Sequence, residues 1–272
     1  MCGIIALFGE KRDVPRDLLT HRGPDNYRRE TMGKCQMDYY RLAINDLSDA
    51  GMQPFVRPNR MFVCNGEIYN YLELKNELEQ KNISFKTSSD TEVLLKSYEV
   101  WGLDFIKKIR GMFSFIIFDE RINKIYCFRD HLGQKPFYYS FFSEGLILSS
   151  EIKDIILVKN KNEINENEKV VLKYLLRGWS DDTNETFYKD IFTLPAGCMG
   201  IIEGSKIKIK KYWKLEINQN KKFDLEEFNY NFNQNINLHL RADVPIAFTL
   251  SGGLDSSSIV KTSLENKNIN YK

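Results

Sequence analysis

Histidine is scarce in this chain. His21, His131 and His239 are the three copies, and none stands in the Cys/His/Asp spacing of a zinc site, so no protein metal site is expected. Long apolar runs are also missing. The longest, Phe113 to Phe118 and Val244 to Leu250, have strand length and fall far short of a bilayer span, so no membrane partner is expected. There is no basic tract either: 39 Lys and Arg against 37 Asp and Glu leave a formal +2. The Lys-rich stretch Lys206 to Lys211 alternates with Ile and reads as the solvated face of a strand, so nucleic acid is not an expected partner. Gly3 and Glu10 stand where a secretory signal needs a charged start and then an apolar run. The five cysteines are odd in number and widely scattered, which points to reduced thiols and a cytoplasmic location.

What is present is a soluble-type composition, 42% hydrophobic and 28% charged, which excludes global disorder. No internal repeat is visible. Apolar runs at Gly3 to Phe8, Arg60 to Cys64, Met112 to Phe118 and Lys124 to Phe128, separated by turn residues, predict strands. Helical spacing predicts a helix over Tyr69 to Gln80 and a second from Ser89 to about Trp101, where Ser89 and Glu92 fit a capping box. Cys35, Cys64, Cys127 and Cys198 lie in strand-like contexts and read as small core residues. The polar stretch Glu216 to Lys222 reads as a linker. After it come a helix from Asp224 to about Leu240, a buried strand over Val244 to Leu250, a glycine turn, and a helix to about Glu265, the opening of an α/β unit. The run stops where a second strand of that unit belongs, so the second domain is expected to be incomplete.

Cys2 is the residue with the most distinctive chemistry. Met1 before a small residue is normally removed, which leaves a cysteine carrying both a thiol and a free α-amine. At pH 7 about 15% of such amines and ~3% of thiols are deprotonated, against ~0.04% of ordinary lysines, so the amine is a usable general base for its own thiol. Alone, a cysteine at this place is weak grounds for a role, and a small residue entering a strand is the plainer explanation.

Five segments in order change that: Cys2-Gly3-Ile4-Ile5, His21-Arg22-Gly23-Pro24-Asp25, Arg41-Leu42-Ala43-Ile44, Asn65-Gly66-Glu67-Ile68-Tyr69-Asn70 and Ser89-Asp90-Thr91-Glu92. Together they resemble the glutaminase domain of class II glutamine amidotransferases, in the asparagine synthetase branch. The resemblance implies an α+β, four-layer αββα N-terminal-nucleophile fold over residues 1–213, with Cys2 as nucleophile. It implies that the Asn65 side-chain amide and the Gly66 N–H form an oxyanion hole, although Asn65-Gly66 also reads as a hairpin turn. The resemblance further implies that glutamine is held by Arg41 through its carboxylate, with Leu42, Ala43, Ile44, Asn45, Asn65 and Gly66 around it, and by Glu67 and Asp90 at its ammonium. The α-amine already fills the base role, so His21 reads as structural and not as half of a Cys–His dyad. The chain departs from the family in three places. The segment between Cys2 and His21 is short, Asp38-Tyr39-Tyr40 replaces a small–His–Arg run, and His131 stands in Arg129-Asp130-His131-Leu132-Gly133 where the family usually has proline.

Ser251-Gly252-Gly253-Leu254-Asp255-Ser256-Ser257 is a glycine turn before a helix, suited to phosphate. It lacks the lysine of a P-loop and resembles the SGG-x-DS loop of ATP pyrophosphatases, preceded by Arg241-Ala242-Asp243-Val244-Pro245 as in asparagine synthetases. The resemblance implies that Leu250, Ser251, Gly252, Gly253, Leu254, Asp255, Ser256 and Ser257 hold ATP and pyrophosphate, with Mg2+ nearby. Residues 214–223 are then a linker and 224–272 the first part of an α/β ATP-pyrophosphatase domain. Phe128 to Tyr139, Ser149-Ser150-Glu151-Ile152-Lys153 and Leu194-Pro195-Ala196-Gly197 also match that branch and are expected at the junction of the two domains or in turns and core. The expected partners are glutamine, aspartate or another carboxylate acceptor such as a sugar acid, and a second copy or a partner chain completing the second domain. Two alternatives stay open, a stand-alone glutaminase and a catalytically silent shortened product. On this reading the chain alone hydrolyses glutamine and releases no pyrophosphate from ATP.

Overall fold

The computed structural model describes residues 1–9, 12–143, 145–159, 161–180 and 182–265. The first elements are β1 (Gly3–Gly9), β2 (Asn26–Met32), β3 (Cys35–Arg41), β4 (Phe55–Arg57), β5 (Arg60–Ile68), α1 (Tyr71–Glu79) and α2 (Asp90–Trp101). They are followed by β6 (Gly111–Asp119), β7 (Lys124–Arg129), β8 (Tyr138–Phe142), β9 (Gly145–Ser149), α3 (Ile152–Val158) and α4 (Glu168–Arg177). The last are β10 (Phe192–Thr193), β11 (Cys198–Glu203), β12 (Lys206–Lys211), α5 (Leu225–His239) and α6 (Leu254–Glu265). The chain divides into two compact units. One is Met1–Ala43, Met52–Ile68 and Trp101–Lys214; the other is Ile44–Gly51, Tyr69–Val100 and the chain from Leu215 onward.

In the first unit two antiparallel sheets form, in the orders β10-β8-β9-β1-β3-β2 and β12-β11-β7-β6-β5-β4. Alternation along the strands sends one set of side chains between the sheets: Ile4, Ala6 and Phe8 of β1, Met37 and Tyr39 of β3, Met61 and Val63 of β5, Ile116 and Phe118 of β6. The opposite face of the first sheet buries Ile5, Leu7 and Ile147 against Ile155 and Val158 of α3. Outside the second sheet, Phe105 from the 3-10 turn Gly102–Lys108 packs on Phe115 and Phe128. Cys35, Cys64, Cys127 and Cys198 are buried core residues, as expected.

Two expectations fail on a strand. Asn65-Gly66 is no turn, because β5 stays paired with β6 from Arg60↔Asp119 to Ile68↔Gly111 and a continuous ladder overrides the dipeptide's turn preference. Val244 to Leu250 forms no strand. Among the described residues from Leu225 to Glu265 the regular elements are α5 and α6, and within Val244 to Leu250 the pairing is a bridge at Ile246, too short to count as a strand. The place expected for that unit's second strand lies outside the described residues.

In the second unit, the capping box at α2 is half realised. Ser89 Oγ accepts from the Thr91 N–H at 3.2 Å, but the Glu92 carboxylate reaches one turn further back, to the N–H groups of Lys86 and Thr87 at 3.0 and 2.8 Å. Asp224 caps α5 through the N–H groups of Glu226 and Glu227. Arg241 forks onto both Glu73 oxygens at 2.6 Å and onto the Tyr69 carbonyl, and Asp243 binds the Asp46 N–H at 2.7 Å and, through its own N–H, the Ile44 carbonyl at 2.9 Å.

The corner between β9 and α3 fixes the start of β1. Ser150 Oγ accepts from the Ile4 N–H, and the Ser150 N–H donates back to the Ile4 carbonyl. Beside it Ser149 Oγ donates to Asp154 Oδ2 at 2.6 Å, while Asp154 Oδ1 is buried without a partner. Burial pushes the Asp154 carboxyl up to about 6, against the pull of that hydrogen bond. An acid raised from an ordinary unfolded value near 4 costs nothing below pH ~4, and its penalty on the fold grows until the pH passes its folded value. From pH 5 to 7.5 the parent is expected to lose about 1–2 kcal/mol of stability that Asp154→Asn keeps, read from urea unfolding of both proteins. Parallel losses in the two would remove Asp154 as the source.

Candidate active site

Cys2 sits half-buried at the head of β1, packed against the core between the sheets. Its Sγ is 3.2 Å from the Tyr39 hydroxyl, 3.4 Å from the Leu42 N–H and 3.5 Å from the Leu42 carbonyl. Its carbonyl accepts from Arg22 Nε at 3.0 Å, and Arg22 Nη1 is held in turn by Glu151 at 3.2 Å. His21 pairs with Glu151 at 2.8 Å and with Lys153, so the His21–Asp25 segment reaches Cys2 through its arginine. The turn fits only with glycine at position 23, where a Cβ would lie 2.2 Å from the Tyr40 carbonyl. Asp25 completes it, its N–H donating to the Arg41 carbonyl and its carboxylate accepting from the Ala43 N–H at 2.8 Å.

The structure carries Met1, which is 53% exposed, so the terminal amine it shows is Met1's. Burial pushes that amine below its ordinary value; the Cys2 thiol opposes the shift, and the cations of Lys135 and Arg22 add to it. Lys135 is itself buried and lowered for the same reason, with Glu67 and Cys2 pulling the other way. It stands at the end of a loop organised by Asp130, whose carboxylate accepts from the N–H groups of Leu132, Gln134, Lys135 and Phe113. Arg129 ties that loop to Thr193, Leu194 and Gly133. Neither Asp130 nor Tyr39 is recognisable from the sequence as a builder of this site, since both act across loops and strands.

Asn65 lies on β5 opposite Ser114, on the face that Met61 and Val63 turn toward the space between the sheets. It is fully buried, and neither its Nδ2 nor its Oδ1 has a hydrogen-bond partner; Ser114 Oγ is unpartnered too. Gly66 follows, where a Cβ would lie 2.4 Å from the Met112 carbonyl and 2.7 Å from Phe113 Cα. Phe113 gives its N–H and C=O to Asp130, on the far side of β6, so Gly66 and Phe113 form a non-hydrogen-bonded pair and the Gly66 N–H points to the open edge of β5. Two residues earlier, Cys64 presents its backbone to the same edge, where the Gln53 side chain takes both its N–H and its carbonyl. Arg41 ends β3 and is buried, with Leu42 and Ala43 after it.

Ile44, Asn45 and Asp90 belong to the second unit. There Asp90 is buried in the first turn of α2, and the Asn45 Oδ1 is buried without a partner. Asp46 binds Ser48 and Ser88; burial works to raise its carboxyl, and these hydrogen bonds outweigh it and hold the group below the ordinary range. Farther along, Gly252 adopts the left-handed φ of +79° that glycine favours, and Ser251 and Ser256 bond each other at the mouth of α6.

Residues 1–213 match the glutamine amidotransferase domain family, and residues 227–268 match asparagine synthase. The chain therefore belongs to the glutamine amidotransferase family. Among curated proteins it is 37% identical to one of Methanocaldococcus jannaschii that carries the provisional name glutamine-hydrolyzing asparagine synthetase 2, over 96% of this chain and 56% of that one. It is 32% identical to glutamine-hydrolyzing asparagine synthetase 1 of Bacillus subtilis, over 97% of this chain and 44% of the other. The chain thus spans about half the length of these relatives. A solved glutamine phosphoribosylpyrophosphate amidotransferase from B. subtilis, complexed with ADP and GMP, shares the fold at 20% identity and a TM-score of 0.59, over 80% of this chain and 50% of that one. The two-sheet α+β fold is the one shared with that amidotransferase.

A buried amide with no partner costs stability that an apolar residue of the same shape does not. Asn65→Leu is therefore expected to raise the unfolding free energy by about 1–2 kcal/mol, measured by denaturant titration. Unchanged or lower stability would show that the amide is satisfied in solution.

Proposed function

We propose that the chain hydrolyses glutamine to glutamate and ammonia with Cys2 as nucleophile. The observation that carries this reading is the unpartnered, fully buried Asn65 amide, which faces the same interior as the Cys2 thiol. A folded protein keeps such a group unsatisfied where a ligand completes it. After Met1 is removed, the Cys2 α-amine takes the thiol proton and the sulfur attacks the side-chain amide carbon of glutamine. Negative charge then grows on the amide oxygen, where the Asn65 Nδ2 and the outward Gly66 N–H are the donors. The amine returns its proton to the leaving nitrogen, ammonia departs, and water cleaves the γ-glutamyl thioester. Arg41 receives the glutamine carboxylate, Glu67 and Asp90 its ammonium, and Leu42, Ala43, Ile44 and Asn45 line the pocket.

We further infer the division already drawn from the sequence: a glutaminase domain over 1–213, a linker over 214–223, and part of an ATP-pyrophosphatase domain from 224. The residues of the Leu250–Ser257 loop fit a nucleotide phosphate, for Gly252 holds a turn that opens onto α6 and no atom crowds a Cβ at that position. Ser251, Gly252, Gly253, Ser256 and Ser257 would hold the phosphates, and Leu250 and Leu254 flank them. Asp255 would face Mg2+. Bound ATP supplies activation of a carboxylate, aspartate or a related acid, for amidation by ammonia. A cytoplasmic location belongs to the same reading; among the described residues no helix is long and apolar enough to cross a membrane.

Cys2→Ala is expected to abolish glutamate formation with the fold retained, and a glutamine-analogue electrophile to leave one adduct, on Cys2. Activity in Cys2→Ala refutes the mechanism. Arg41→Ala is expected to act mainly on KM, and Asn65→Ala to lower kcat by about 100-fold or more. Exchange of those two effects, seen in steady-state kinetics, would reverse the assigned roles.

A further inference from the structure

Tyr39 stands in the run Asp38-Tyr39-Tyr40, where the sequence departs from its family, and the structure places its hydroxyl on the thiol. Ile4 and Tyr39 are direct partners across β1 and β3, so Cys2, two residues before Ile4 on the same face, is the diagonal neighbour of Tyr39 and within reach of its ring. The ring is buried in the core between the sheets, and its hydroxyl ends 3.2 Å from Cys2 Sγ. Cys2 Sγ is the hydrogen-bond partner the structure gives that hydroxyl.

We propose that Tyr39 is a positioning residue for the glutaminase reaction, its hydroxyl donating to the Cys2 sulfur to hold and stabilise the thiolate that attacks glutamine. The proposal rests on Cys2 being the nucleophile. The direction of the hydrogen bond follows from chemistry. Burial, reinforced by Cys2, keeps the Tyr39 phenol protonated well above its ordinary range, so the hydroxyl still carries its proton when the thiol has lost its own. In the thiol form the S–H can point to the Leu42 carbonyl; in the thiolate form the sulfur accepts from both the Tyr39 O–H and the Leu42 N–H. The change moves one proton from sulfur to the α-amine nitrogen and alters no other bond. A donor fixed in a rigid strand orients the sulfur without being ordered anew in each turnover. Around the pair the other charged or titratable groups are Arg41, Cys64, Glu67, Lys135, Arg22 and the terminal amine.

The test reads the thiol directly. Iodoacetamide alkylation of Cys2 in the Met1-processed protein is followed by peptide mass across pH 5.5 to 9.5, beside glutamine kinetics. Tyr39→Phe is expected to move the alkylation profile up by about one pH unit, slow alkylation about tenfold at pH 7, and lower kcat far more than it changes KM. Tyr139→Phe, which removes a hydroxyl from the same core away from Cys2, is expected to leave both readouts at the parental level. Site-specific 3-fluorotyrosine at position 39 keeps the shape and strengthens the donor, so it is expected to move the profile down, and it decides the matter if Tyr39→Phe does not fold. A parental profile in Tyr39→Phe, or in the fluorotyrosine protein, overturns the proposal. Because alkylation needs no turnover, that result is separate from an active Cys2→Ala, which would overturn the nucleophile itself.

Discussion

The site depends on the phase of one antiparallel ladder. Asp130 takes the N–H and C=O of Phe113, so β6 offers β5 a non-hydrogen-bonded position at that point, and the alternation of β5 turns the Gly66 N–H outward and the Asn65 side chain inward. A slip by one residue would exchange these directions and dismantle both donors together. The glycine at position 66 belongs to the same arrangement, because the close approach of β6 leaves no room for a Cβ. The Asp130 loop that sets the ladder also delivers Lys135, so a single buried carboxylate governs the strand and the cation near the thiol.

Around this ladder the structure tolerates several unsatisfied polar groups, namely Asn65, Ser114 and one oxygen of Asp154. Native interiors hold few such groups, and those that persist usually mark function or strain. Here two of them form a cross-strand pair between the sheets, where an apolar pair would pack at lower cost. The departures at Asp38 and Tyr39 divide between the two faces of β3. Asp38 is buried beneath Tyr27, Arg29 and Gln36, which satisfy its charge on the outer face, while Tyr39 takes the inner one.

Much of this was legible in the sequence. Apolar runs bounded by turn residues marked β1, β6 and β7, helical spacing marked α1 and α2, and the spaced segments around Cys2, Arg41 and Asn65 fell onto the elements described above. What was not legible has physical causes. β2 reads Asn-Tyr-Arg-Arg-Glu-Thr-Met, an edge strand with little apolar pattern to announce it. Asn65-Gly66 carried a strong local turn signal that a long-range pairing overruled. Val244 to Leu250 had the composition of a strand, but its pairing is a bridge at Ile246, short of a ladder. The contacts of Tyr39 and Arg22 with Cys2, and of Asp130 with Phe113, connect residues far apart in sequence, and no local pattern encodes them.

The way β1 is anchored bears on maturation. Its ladder begins at Gly3, Arg22 grips the carbonyl of Cys2, and Ser150 fixes Ile4, so every bond that sets the thiol's place lies downstream of the Met1–Cys2 peptide. Met1 meets this set through its Sδ, 3.9 Å from Arg22 Nη2, and otherwise projects largely into solvent. On the proposed function, removal of Met1 then frees an α-amine beside a thiol whose surroundings those bonds already hold.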